Sequence, residues 1–133
     1  MVRLHLAFAL VCLLALPRLG AAQISDALAK STPAERARIQ TDVMKDKLGL
    51  TAEQVPKIEA INLDTAQKME PILKGSEGQL VKLRHANQLE AAKESALQGV
   101  LTGDQYQKFL ALRAEMKQKL EEKLKAKAAS ATP

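Results

Sequence analysis

Leu50-Thr51-Ala52-Glu53-Gln54-Val55 and Leu101-Thr102-Gly103-Asp104-Gln105-Tyr106 are two copies of one helix start. In each, the Thr hydroxyl is placed to accept from an N–H of the first turn. The Gln three residues later is placed to reach back to the Thr N–H, which completes a reciprocal capping box. The Leu before the Thr and the apolar residue at the fourth helical position, Val55 or Tyr106, form a hydrophobic staple. The copies overlay beyond the box: Glu53 falls on Asp104, Lys57 on Lys108, Ile58 on Phe109 and Ile61 on Leu112. One Thr-x-x-Gln is common by chance. Two, each with a staple and a matching helix, predict a chain built from helices that start in the same way.

Working outward, Thr32-Pro33-Ala34-Glu35 is a third helix start, with Thr32 as cap, Pro33 at the first helical position and Glu35 reaching back. The first helix is expected to run to about Leu48, with Gly49 as its C′ residue. Ile39 and Val43 make a narrow stripe flanked by Arg36 and Lys47, while Met44 and Leu48 fall on another side. The second helix carries Val55, Ile58, Ile61, Ala66, Met69, Ile72 and Leu73 within one arc. Pro56 removes a backbone donor early in it, and Pro71 is expected to kink or end it near Glu70.

Gly75-Ser76-Glu77-Gly78 reads as a turn, with Ser76 and Gln79 as a weaker capping pair. A third helix is expected over 79–99, with Val81, Leu89, Ala92, Ala96, Leu97 and Val100 on one broad face. Its alanines would let another helix approach closely. The fourth carries Tyr106, Phe109, Leu110, Met116, Leu120 and Leu124, with Glu115–Lys119 and Glu121–Lys125 as favourable i,i+4 pairs. Residues 126–133 are of low complexity and are expected to be disordered.

Composition agrees. Of 133 residues 47% are apolar but only 2% aromatic, with six Gly and five Pro, which excludes a turn-rich β sandwich or barrel. The fold class is all-α: four amphipathic helices over residues 32–125.

Residues 1–22 read as an address. Arg3 precedes an apolar run, Leu4–Leu16, interrupted only by His5; Pro17 breaks it, and Gly20-Ala21-Ala22 supplies small residues for cleavage before Gln23. Such a run reaches only about 20 Å as a helix, against a hydrocarbon core of about 30 Å, so a cleaved signal is expected and no stable membrane span. Residues 23–31 read as a flexible lead into the domain. Export would remove the only Cys, leaving 18 Lys and Arg against 15 Asp and Glu. With no disulfide, stability must come from helix packing or from a second subunit. No basic block with interleaved aromatics points to nucleic acid.

With both starts in place, the sequence resembles the LTXXQ-motif family, the Spy/CpxP-like periplasmic proteins, over about Pro33–Leu124. The motif itself is Leu50, Thr51 and Gln54, repeated as Leu101, Thr102 and Gln105. The resemblance implies a thin, cradle-shaped antiparallel homodimer in the periplasm. It implies an ATP-independent chaperone, an inhibitor of envelope-stress signalling or a metal-responsive sensor. The motif is itself capping chemistry, worth about 0.5–2 kcal/mol for each cap, and marks no binding site.

No nucleophile is paired with a base, no Gly-rich phosphate loop exists, and His85 is the one histidine after residue 22. Neither an enzyme, nor a cofactor, nor a metal site is expected. Client binding needs apolar groups exposed beside charge. Arg36, Ile39, Val43 and Lys47 offer that combination and are the candidate contacts for unfolded or misfolded envelope proteins. Their other reading is ordinary core with snorkelling cations at its edge. A secreted amphipathic binder of lipid surfaces is the alternative from another class.

Overall fold

The computed structural model describes residues 30–130, without the side chains of residues 120, 123, 124, 127 and 128. The expected signal segment, most of the flexible lead and residues 131–133 lie outside the described residues, as do the side chains of Leu120 and Leu124. Four helices follow one another: α1 Pro33–Leu48, α2 Gln54–Lys74, α3 Gln79–Gln98 and α4 Gly103–Ser130. The described residues contain no strand. The protein is all-α.

Each start works through its box. Thr32 Oγ1 accepts from Glu35 N–H at 3.2 Å, and Glu35 Oε2 accepts from Thr32 N–H at 2.7 Å. The hydrogen bond from the Thr32 backbone, then that from its hydroxyl, holds the Glu35 carboxyl below its ordinary range. Gly49 ends α1 with φ +66° and ψ +51°, a left-handed conformation that L side chains adopt only with strain. Its N–H and that of Leu50 both return to Lys45 O, at 3.1 and 3.3 Å.

α1 packs chiefly on α2, α2 next on α3, and α4 against α1 over a smaller area. Arg36 pairs with Glu70, Thr41 meets Asn62, and the chain reverses at residues 49–53, so α1 and α2 form an antiparallel hairpin. α2 and α3 form a second one, closed where Lys82 Nζ donates to Leu73 O at 3.3 Å. Glu94 of α3 ties to α4, accepting from Tyr106 Oη at 3.0 Å and pairing with Arg113.

The apolar core gathers at the end where the motifs lie. Met44, Leu48, Leu50, Ile58, Leu97, Leu101, Phe109 and Met116 form one buried cluster, with Val55, Ile61, Val100, Tyr106, Leu110 and Leu112 against it. Both motif leucines are in it. Further along α1, α2 and α3 the interior turns polar: Gln40, Thr41, Asn62, Thr65, Glu90 and Lys93 are all buried. Asn62 Nδ2 donates to Thr41 Oγ1 at 3.0 Å, and Lys93 Nζ donates to Gln40 Oε1 at 2.8 Å. These bonds offset the desolvation of groups that would otherwise be costly to bury.

Four expectations change. Pro71 neither ends nor caps α2, which continues to Lys74. Gln67, whose carbonyl loses its helical donor to Pro71, is exposed and open to water. Ser76 does not cap α3. Gly78 precedes the helix and makes no side-chain cap bond. Residues 126–130 are helical rather than disordered, consistent with the high helix propensity of Ala and Lys.

The fourth change concerns which face of α3 is buried. The chain buries Ala86, Glu90, Lys93 and Leu97. Of the expected stripe only Leu97 is buried, whereas Leu89 and Val100 are half-buried and Val81, Ala92 and Ala96 are exposed. On the buried face Lys93 donates to Gln40 of α1 and Leu97 enters the core, which leaves the alanine stripe outward.

Candidate functional site

Three places collect the residues that the sequence singles out: the paired motifs, the Arg36–Lys47 face of α1, and the outward stripe of α3.

The motifs meet. Gln54 Oε1 accepts from Thr51 N–H at 3.0 Å, and Gln105 Oε1 accepts from Thr102 N–H at 3.0 Å, so each box is closed. The return bonds, Gln54 N–H to Thr51 Oγ1 and Gln105 N–H to Thr102 Oγ1, measure 3.3 and 3.2 Å. Regular helix begins at Gln54 in α2 because Ala52-Glu53 form a turn inside the box.

Each Gln then uses its amide nitrogen on the other copy. Gln54 Nε2 donates to Gln105 Oε1 at 2.7 Å and to Val100 O at 3.1 Å. Gln105 Nε2 donates to Gln54 Oε1 at 2.9 Å and to Gly49 O at 3.2 Å. Val100 and Gly49 each precede the Leu of a motif, so the arrangement is a local two-fold. Both oxygens and both nitrogens are fully used, and Gln105 is buried. This is a structural clasp, with no group left to bind or react. Sequence reasoning identified the caps but missed the pairing. The signal was the choice of Gln over Glu in both copies: two carboxylates could not exchange these bonds.

On α1, Arg36 is committed. Its guanidinium pairs with Glu70 and donates to Ser31 O at 2.7 Å. Glu70 also holds Lys74 at 2.7 Å, and the Lys74 and Arg36 bonds together keep its carboxyl below the ordinary range. Ile39 and Val43 are half-buried and Lys47 is exposed. The buried side of α1 is instead Ala37, Gln40, Thr41, Met44 and Leu48. The structure therefore keeps Ile39, Val43 and Lys47 at the surface of α1 and ties Arg36 to α2.

The outward stripe of α3 lines an open groove of about 320 Å³ against α2. It is lined by Ala60, Ile61, Asp64, Thr65 and Lys68 from α2 and by Leu89, Ala92, Lys93 and Ala96 from α3; Thr65 and Lys93 are its buried members, and the alanines are exposed. Asp64 and Lys68 pair at 2.7 Å along the α2 rim. The small alanines leave the space, and Leu89 and Ile61 make it apolar. The sequence showed this stripe but assigned it to the core.

Among the described residues no group of three or more His, Cys, Asp or Glu could hold a metal ion. No helix of the described residues is long and apolar enough to cross a membrane.

No characterised protein and no solved structure gives a significant match to the chain. One family model does match, over residues 21–109, a span that includes both motifs and the groove. The chain belongs to that family, which is described as a domain of unknown function (DUF4890).

Proposed function

We propose that this protein is an exported, ATP-independent chaperone-like protein that holds apolar segments of unfolded or misfolded envelope proteins, and that it acts as a homodimer. The observation that carries the reading is the α2–α3 groove, an apolar surface beside the Asp64–Lys68 pair that the other described helices leave open. A holdase needs apolar surface that it presents without aggregating, and charge at the rim supplies the solubility. Two other features support it: the repeated motif, with its resemblance to the LTXXQ family, and the signal-like residues 1–22. The half-buried Ile39 and Val43 beside Lys47 add a second strip of the same character on α1. A small apolar core in a thin chain favours a second subunit.

The test is light scattering from a chemically denatured client diluted into buffer without ATP, with and without the protein. Suppression near equimolar ratio is expected. Ala92 and Ala96 are exposed, so Ala92→Glu with Ala96→Glu should leave helicity intact and abolish suppression. Full suppression by that variant removes the groove from the reading. No suppression by the folded parent removes the chaperone function and points to one dedicated partner. Ile39→Asp with Val43→Asp tests the α1 strip in the same assay.

A further inference from the structure

The α2–α3 turn carries exposed apolar groups that neither the core nor the groove uses. Leu80 is 76% exposed, Leu73 45% and Val81 40%, the most exposed large apolar side chains among the described residues. Leu73 lies in the last turn of α2, and Leu80 and Val81 lie in the first turn of α3. The bond from Lys82 Nζ to Leu73 O brings these two turns together, so all three apolar residues sit at one tip.

The tip is also basic. Residues 73–84 contain Lys74, Lys82 and Arg84 against one carboxylate, Glu77. Glu77 lies 3.3 Å from His85 Nδ1. Glu70, one turn earlier in α2, is already shared between Arg36 and Lys74. Arg84 is exposed. Three apolar side chains at a turn, with cations spaced around them, complement a surface that is anionic outside and apolar beneath. An unfolded polypeptide complements the apolar part but has no systematic negative charge.

We infer that the α2–α3 tip is a contact site for anionic phospholipid surfaces. Leu73, Leu80 and Val81 enter the boundary between headgroups and acyl chains, and Arg84 stays at the level of the phosphates, with Lys74 able to exchange Glu70 for a phosphate there. The contact is peripheral and reversible, since each cation adds only about 1 kcal/mol and no helix of the described residues is long and apolar enough to span. It would hold the protein at a membrane face while leaving the groove, on the middle of the same hairpin, open.

The chain has no Trp, so one introduced indole reports its own surroundings. Leu80→Trp in the full chain is mixed at low salt with vesicles of phosphatidylglycerol and phosphatidylcholine, some carrying brominated acyl chains. Lys57→Trp, at the exposed far end of α2, is the control. The indole at position 80 is expected to shift its emission to the blue and to be quenched by brominated lipid. The control indole is expected to stay unchanged. The response should be lost on phosphatidylcholine alone, in high salt and on adding Arg84→Glu. No response, an equal response from both indoles, or a response kept on neutral vesicles overturns the inference. So does a response to a denatured client with none to vesicles, which would make the tip part of the client surface.

Discussion

The clasp between the two motifs sets a quantitative expectation. Gln105→Ala removes four hydrogen bonds: the one from Thr102 N–H, the one to Gly49 O, and the two exchanged with Gln54. At about 0.5–1.5 kcal/mol net for each, the upper limit is about 6 kcal/mol. Gly49 is exposed, so water can reach its carbonyl, and the expected loss is about 3 kcal/mol. Gln54→Ala also removes four bonds, two of them the same pair, but Gln54 is half-exposed. Its expected loss is about 2 kcal/mol.

The informative quantity is the double variant. The two Gln–Gln bonds are lost in either single variant but can be lost only once. Together, Gln54→Ala and Gln105→Ala should therefore cost about 1–3 kcal/mol less than the sum of the singles. Urea unfolding followed by helical circular dichroism measures all four proteins, with an unchanged m-value confirming a common unfolding reaction. Additivity to within about 0.5 kcal/mol would show two independent caps and no clasp.

Three further outcomes follow from the structure. Gly49→Ala should cost about 1–2 kcal/mol from backbone strain alone, because nothing lies within 4 Å of the added methyl group; an unchanged urea midpoint would refute it. Asn62 is fully buried, and its Oδ1 meets no donor among the described residues. Asn62→Leu should therefore stay within about 1 kcal/mol of the parent, while Asn62→Ala loses about 2 kcal/mol or more to the cavity. Equal losses in thermal unfolding would count against this account. Glu70 is held below its ordinary range first by Lys74 and then by Arg36, so it stabilises the fold when ionised. That contribution is present above the ordinary carboxylate pKa and fades as pH falls through the lowered one. Glu70→Gln should thus be less stable than the parent at pH 7, by about 1 kcal/mol, since Lys74 is solvent-screened while Arg36 is partly buried, and match it in acid. A difference that persists below the carboxylate range would refute the assignment.

The capping chemistry was legible because it is local. Thr32, Thr51 and Thr102, with Glu35, Gln54 and Gln105 three residues on, settle their helix starts within a few residues, and Gly49 its helix end. The same locality misled at Pro71, where one missing donor was read as a kink or a stop, yet α2 continues to Lys74 past an exposed Gln67. Ser76 misled in the opposite direction, since a capping pattern costs nothing to write and Gly78 took its place. On α2, Asn62 and Thr65 lie inside the apolar arc and could have been read as a polar layer. Lys93 could not, because its partner Gln40 lies on another helix.

The sequence by itself determined the helices, most of their boundaries and the two-copy plan. Those features depend on hydrogen bonds and periodicities that span one or two turns. Only the tertiary structure decided which face each helix buries. α3 turns Ala86, Glu90, Lys93 and Leu97 inward, with Lys93 bonded to Gln40 of α1 and Leu97 in the core, and its alanines line a groove. Likewise, only the meeting of residues 51 positions apart turns two ordinary helix caps into one clasp. Such choices depend on pairing donors with acceptors across helices, where the partner is fixed by the packing of the whole chain.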